Sequence, residues 1–185
     1  MAPNPRRMPD PGATLLPAAA LLLIYPHADQ WHVPLTVRGS GLRHHTGQVS
    51  LPGGRFDDPG ESVEDAALRE AFEEIGIVPA EVEILGRMTP LPIAVSGHML
   101  HPVIGVAAAR PAFALAAEEV ERLIELPIPR LLTPDVIAWE QRMRSSDTVN
   151  VPYFAIDGAR VWGATAMVLA EFIALLEDID FHVED

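Results

Sequence analysis

The chain has 185 residues, 49% of them hydrophobic and 21% charged, which is enough apolar material for one soluble globular unit with a buried core. Its formal net charge of −13 argues against a nucleic-acid or anionic-membrane partner, but not against a nucleotide, because a bound cation reverses the local sign. There is no Cys, and all 13 basic residues are Arg, so thiol catalysis, a disulfide framework and Schiff-base or Walker-type lysine chemistry are excluded.

Residues 1–12, rich in Pro and polar residues, read as a loose arm, and residues 13–185 as a single domain with an acidic tail over 177–185. No apolar run approaches the length of a transmembrane helix. Arg6-Arg7 ahead of the apolar segment 13–24 has the outline of a secretory leader, but Pro17 interrupts it, so the expected location is the cytoplasm. Residues 18–25 form a short apolar run that predicts a buried strand. Pro26-His27-Ala28-Asp29 is turn material, and residues 31–37 alternate as a second strand, with Pro34 pointing to an edge or bulge. A polar loop over 38–48 leads through 49–51 into Pro52-Gly53-Gly54.

A helix is predicted to start behind Ser62. Asp65 completes a capping-box-like pattern, and Val63, Ala66, Ala67, Ala71 and Ile75 recur at helical spacing as a buried stripe, with Gly76 as the stop. Beyond it, residues 82–88 and 99–107 read as strands and 115–124 as a short acidic helix. Residues 136–141 and 149–156 read as a strand pair around Ser145-Ser146-Asp147, and 164–176 as an amphipathic helix.

The acids of the first helix carry the chemistry. Glu70 and Glu74 are four apart on one face, with Glu73 beside them. Two carboxylates roughly 6 Å apart repel by about 3 kcal/mol at an effective dielectric of 20. Arg69 can pair with Glu73 but cannot neutralise all three. A hard divalent cation can, since Mg²⁺ takes a few carboxylates together with waters and phosphate oxygens. By itself the pattern is more simply a solvated acidic helix face, and it is the preceding loop that points elsewhere. The preceding loop, Gly53-Gly54-Arg55-Phe56-Asp57-Asp58-Pro59-Gly60-Glu61, adds glycines that permit positive φ or close backbone approach, and a fourth glutamate on the same side.

Gly53-Gly54, then Glu61, then Arg69-Glu70-Ala71-Phe72-Glu73-Glu74-Ile75-Gly76 resembles the Nudix box, the loop–helix–loop signature of the Nudix hydrolases. The usual pattern has five residues between the second glycine and the first glutamate. Here there are six, Arg55 to Gly60. The resemblance implies an α/β/α sandwich with a mixed sheet, and hydrolysis of a nucleoside diphosphate linked to another group. It also implies Mg²⁺ or Mn²⁺ held by Glu70, Glu73 and Glu74 with Glu61 assisting, and Arg69 orienting the glutamates. One glutamate would serve as general base, Glu73 or a helix neighbour.

Upstream, Arg43, Gly47 and Pro52-Gly53-Gly54 resemble the additional motif of the coenzyme A pyrophosphatase branch, with Leu51 where that branch has Phe. Leu35-Thr36-Val37-Arg38-Gly39-Ser40 loosely resembles a second stretch of it. Segments around Leu85-Gly86-Arg87-Met88, Val151-Pro152-Tyr153-Phe154 and Val161-Trp162-Gly163 extend the likeness over about residues 18–176. This implies cleavage of coenzyme A to 3′,5′-ADP and 4′-phosphopantetheine, with Arg38, Arg43, Gly47, Gly53 and Gly54 at the substrate. Arg forks suit phosphate. The expected partner is therefore a small nucleotide-type molecule, with no nucleic acid and no membrane, and a homodimer is left open. Two alternatives stand beside this reading. One keeps the chemistry and changes the substrate to ADP-ribose, NADH or a nucleoside triphosphate. The other is a nucleotide sensor that does not cut, against which the intact Glu70, Glu73 and Glu74 weigh. His44, His45, His98 and His101 are further candidates near the substrate, and Glu118, Glu119 and Glu121 for an extra acid. Each is equally at home in ordinary packing or on a solvated face.

Overall fold

The computed structural model describes residues 8–10, 12–39, 47–144 and 147–179. The apolar run near the N-terminus becomes β1 (Leu16–His27), a strand buried on both faces, which is why it reads as continuous rather than alternating. Ala28 and Asp29 both adopt positive φ, at 47° and 59°. They turn the chain in two residues into β2 (Gln30–Arg38), with His27 opposite Gln30, as a primed hairpin turn requires. The turn is thus two residues shorter than Pro26–Asp29, because β1 extends through His27.

β3 (Val49–Ser50) pairs with the end of β2, and β4 (Gly53–Arg55) pairs antiparallel with the start of β1. Next comes α1 (Val63–Ile75), followed by β5 (Val82–Arg87), β6 (Leu91–Ile93) and β7 (His98–Ala107). β7 runs parallel to β1, from Leu16 opposite His98 to Ile24 opposite Val106, and β5 lies antiparallel on its far side. β8 (Val120–Pro127) pairs antiparallel with β2, which completes a mixed eight-stranded sheet.

The segment 115–124 does not form the expected acidic helix. Residues 117–119 make a turn, and the chain then enters β8. Local Ala and Glu content favours a helix, but Val120, Ile124 and Leu126 are buried as a strand against Val33, Leu35 and Val37 of β2. A non-local ladder that covers apolar residues outweighs a propensity of a few tenths of a kcal/mol per residue.

After β8 come a one-turn helix α2 (Ile128–Leu131), and then β9 (Ile137–Arg144), β10 (Asp147–Ile156) and β11 (Ala159–Val161), a separate antiparallel sheet in the order β11-β10-β9. α3 (Gly163–Asp178) follows. The large sheet has a core on each side. Ala19, Leu21, Leu23 and Tyr25 of β1 face Ala66, Ala67, Ala71 and Ile75 of α1. Ala20 and Leu22 face the other way, into a cluster that includes Val168, Leu169 and Phe172 of α3 and Phe154 of β10. Each fully buried Leu contributes about 2 kcal/mol. Helix, mixed sheet and helix form the expected α/β/α layering. No helix among the described residues is long and apolar enough to cross a membrane.

Candidate active site

The glycine pair is required by contact rather than by turn geometry. Neither Gly53 nor Gly54 has positive φ. A methyl group on Gly53 would lie 2.3 Å from the Ala19 carbonyl oxygen of β1, and one on Gly54 would lie 2.4 Å from the Glu70 carboxylate. β4 is therefore pressed between β1 and the acidic face of α1, and only glycine fits. On the other side of this loop, the Thr165 hydroxyl at the start of α3 donates to the Val49 carbonyl at 3.2 Å.

The six-residue spacing is absorbed in a tight turn. The Gly60 N–H donates to Asp58 Oδ1 at 2.8 Å, and the Glu61 N–H to the Asp58 carbonyl at 3.0 Å. The Asp57 N–H donates to Glu61 Oε2 at 3.0 Å. The extra residue thus bulges outward, and Glu61 still reaches the helix. Ser62 caps α1, its Oγ accepting the Asp65 N–H at 3.1 Å. The Ser62 hydroxyl donates in turn to Asp65 Oδ2 at 2.6 Å, so the reciprocal half of a capping box is made to a side chain rather than to the backbone. Gly76, at φ 75°, ends the helix in the left-handed region.

Arg69 is the hub of the outer face. Its Nε donates to Glu61 Oε1 at 2.8 Å, and its Nη1 donates to Glu70 Oε1 at 3.0 Å and to Glu73 Oε2 at 3.1 Å. Its Nη2 donates to the Arg55 carbonyl at 2.8 Å, and Asp57 Oδ2 lies 3.5 Å from Nη1. One guanidinium thus gathers four carboxylates, three of them foreseen. The hydrogen bond from Arg69 holds the Glu61 carboxyl below its ordinary range. Glu70 goes the other way. Burial raises it, Arg69 offsets part of the rise, and Glu73 and Asp57 add to it.

Glu74 is set apart. It is only 4% exposed, its Oε2 has no hydrogen-bond partner, and its nearest cation is Arg38, whose Nη1 lies 3.9 Å from Oε1. Burial pushes its carboxyl up to about 7, against the pull of Arg38 and of a hydrogen bond from the Gly53 backbone, and with further repulsion from Glu70 and Glu119. The segment between β7 and β8 braces this end of the helix: the Ala116 N–H donates to the Glu74 carbonyl at 2.9 Å and the Ala114 N–H to the Ile75 carbonyl at 3.0 Å. These backbone bonds satisfy the orphan carbonyls of the last turn. The sequence carried no signal for them, nor for Asp57.

Among the described residues, no three carboxylate or imidazole groups converge as a ready-made metal cage. The outer acids close on Arg69, while Glu74 stands on the inner side with an unmatched oxygen. The donor set is nevertheless all hard oxygen, and it includes a buried carboxylate that is uncomfortable when charged. Both features suit a hard divalent cation.

The remaining candidates disperse. Arg43, His44 and His45 lie outside the described residues. Gly47 has φ 71° and open space around its Cα, and its N–H donates to the Arg38 carbonyl at 2.9 Å, so it turns the chain beside Arg38. Arg38 faces Glu74, and its buried Nε is unpartnered. His98 lies at the start of β7, with its Nε2 buried and unpartnered. The His101 ring lies 6.4 Å from that of Phe56, and burial, with Arg87 nearby, lowers its affinity for a proton. Glu118 and Glu119 sit in an exposed turn and Glu121 in β8, so none is on a helix. Glu119 alone influences Glu74.

An α/β/α protein in which a glycine pair feeds an acid-rich helix ordered by one arginine is the class that fold and site together define. Comparison with known proteins makes this specific. The family model of the NUDIX domain matches residues 15–140. The chain is 36% identical over 150 residues to a Nudix hydrolase named NudL from Pectobacterium atrosepticum, itself uncharacterised, a match covering 78% of this chain and 74% of that protein. It is 35% identical over 153 residues to NudL of Escherichia coli, covering 83% and 79%. The chain belongs to the Nudix hydrolase family. Among solved structures, a Nudix hydrolase from M. smegmatis, RenU, superposes with a TM-score of 0.64 at 19% identity, over 92% of this chain and 89% of that one. A C. elegans Ap4A hydrolase does so with a TM-score of 0.60 at 16% identity, over 89% and 99%. These likenesses establish the shared fold.

Proposed function

We propose that this chain is a divalent-cation-dependent pyrophosphohydrolase acting on coenzyme A or its derivatives, releasing 3′,5′-ADP and 4′-phosphopantetheine. The single observation that carries the hydrolytic reading is the acidic cluster of α1 and the loop before it, four carboxylates gathered by Arg69 beside a buried Glu74 with an unpartnered oxygen. The substrate follows from the residues matching the coenzyme A branch, Arg43, Gly47 and Pro52-Gly53-Gly54. Glu70, Glu73 and Glu74, with Glu61 assisting, would hold Mg²⁺ or Mn²⁺. When bound, the cation supplies charge neutralisation at the diphosphate and lowers the pKa of an attacking water.

The chain's own residues do the rest. Arg69 holds Glu61, Glu70 and Glu73 in fixed rotamers, so that little reorganisation is left for the reaction. Gly54 lets the Glu70 carboxylate lie against the backbone. Glu74, poised near neutrality, can hold a proton at Oε2. Arg38, with an unpartnered Nε, offers a fork for phosphate, and Arg43 is assigned the same task from its motif alone.

The test is mass analysis of products after incubation with Mg²⁺ and a panel of coenzyme A, ADP-ribose, NADH and nucleoside triphosphates. Release of 3′,5′-ADP from coenzyme A is the expected result. Cleavage of ADP-ribose with coenzyme A left intact would overturn the substrate, and an intact panel would overturn the enzyme. Leu51 in place of Phe departs from the coenzyme A branch, and ADP-ribose, NADH or a nucleoside triphosphate is the second reading.

A further inference from the structure

We propose that β9 is a self-pairing edge through which two copies of this chain associate about a two-fold axis centred on Gln141. β9 is the outer strand of the three-stranded sheet, and among the described strands it pairs only with β10. An open edge strand is a template for another strand, and folded proteins ordinarily blunt it with charge or proline. Here one face of the edge carries a row of apolar side chains instead. Ile137 is 43% exposed, Trp139 65% and Met143 74%. The opposite face alternates charge, with Glu140 bonded to both Arg142 and Arg160, and Arg142 lying over the Trp162 ring.

The sequence of β9 selects one register. A two-fold axis perpendicular to the sheet keeps odd-numbered residues opposite odd and even opposite even. Centred on Gln141, it sets Trp139 opposite Met143 of the second copy, twice, and Glu140 opposite Arg142, also twice. Centred one residue back, Glu140 meets Glu140. Centred one residue on, Arg142 meets Arg142. Like charges directly opposite are destabilising, and apolar and opposite-charge pairs are favourable. Only the Gln141 register makes both apolar and opposite-charge pairs with no like-charge pair. The strand also carries two Arg against one Glu in a chain of net charge −13, so the general repulsion between copies is relieved there. The product is a continuous six-stranded sheet across two copies. One strand pair is small for a specific interface, so the association is expected to depend on concentration.

Light scattering and sedimentation velocity from about 1 to about 200 µM, the range in which a weak dimer dissociates, should show a monomer converting to a dimer. Trp139→Lys should weaken that association at least tenfold, with an unchanged circular dichroism spectrum, because the side chain is exposed. The chain has no Cys, so a single introduced one reports its own neighbour. Gln141→Cys should give a disulfide-linked dimer on mild oxidation, since directly opposite Cα atoms in an antiparallel pair lie about 4.5–5.5 Å apart, within disulfide reach. Met143→Cys should not, its two copies standing about 13 Å apart along the strand, and neither should Glu177→Cys. A monomer at every concentration overturns the proposal. So does a dimer indifferent to Trp139→Lys, or one that cross-links through Met143→Cys in place of Gln141→Cys.

Discussion

The two ends of the acidic site handle the same charge in opposite ways. At its outer end, Glu61, Glu70, Glu73 and Asp57 share one guanidinium, and hydrogen bonds from Arg69 keep Glu61 ionised. At its inner end, Glu74, next to Glu73 along the chain, has the low exposure of a core residue, a backbone hydrogen bond from Gly53 and a distant Arg38. The first arrangement is partly offset within the chain, one positive charge against four negative ones. The second is neutralised by a proton near pH 7 or by something the chain does not itself supply. Under the proposed function, Glu74 is where the chain most lacks a cation, and the carboxylates around Arg69 are the ones already held in place.

Breaking the inner end should have the largest effect. Glu74→Gln is expected to reduce Mg²⁺-dependent turnover by about 10³-fold or more while leaving the fold intact. Loss of folding, with unchanged specific activity in the soluble fraction, would count against that role. The same residue predicts a pH dependence in the cation-free protein. A carboxyl whose folded pKa is raised from 4.5 to about 7 contributes stability that is fully present below pH 4.5 and lost as pH rises through 7. The loss amounts to about 3 kcal/mol, so thermal unfolding in chelator should show the wild type weakening from pH 5 to 8 and Glu74→Gln weakening much less. Added Mg²⁺ should restore the wild type at pH 8.

Breaking the outer end should cost less activity and more structure. Arg69→Ala leaves four carboxylates facing one another in a half-buried setting. It is expected to lower kcat about 10²-fold and stability by about 2 kcal/mol. Arg69→Lys should recover little, since one ammonium cannot reproduce a fork that reaches Glu61, Glu70, Glu73 and the Arg55 carbonyl. Full activity of Arg69→Ala would mean that the glutamates order themselves.

What the sequence could say about this site was whatever local spacing carries. Ser62, the apolar stripe, Gly76 and the facing glutamates all lie within one helix, and the structure has them there. The reason for the glycine pair was not legible, because it lies in β1 and Glu70, far from the glycines along the chain. Nor was the burial of Glu74, or the bracing of its helix end by the Ala114 and Ala116 N–H groups. The strand at 120–127 was hidden by helix-favouring Ala and Glu in the turn before it, and only β2 determines its state. By contrast, the hairpin into β11 had a local signal in Asp157-Gly158, an Asp-Gly pair with both residues at positive φ, and it was overlooked.

Two smaller perturbations sharpen the contrast between the ends. Gly54→Ala forces a methyl group into the Glu70 carboxylate. It should cost about 1–3 kcal/mol and lower kcat about tenfold by displacing one carboxylate, while the burial that chiefly raises Glu74 remains, so the pH slope in chelator should survive. Asp57→Asn tests whether the fourth carboxylate matters. Asp57 is largely exposed, 3.5 Å from an Arg69 already held by three shorter bonds to glutamates, and its charge raises the Glu70 carboxyl. An exposed pair of this kind is worth at most about 1 kcal/mol, so stability should change by less than that and kcat by less than about threefold. The direction is the informative part. Removing a negative charge beside Glu70 makes that glutamate easier to ionise, so the acidic limb of the pH–rate profile should move to lower pH. A shift to higher pH would mean that Asp57 assists the site rather than opposing it, and the outer end would then have four working carboxylates instead of three.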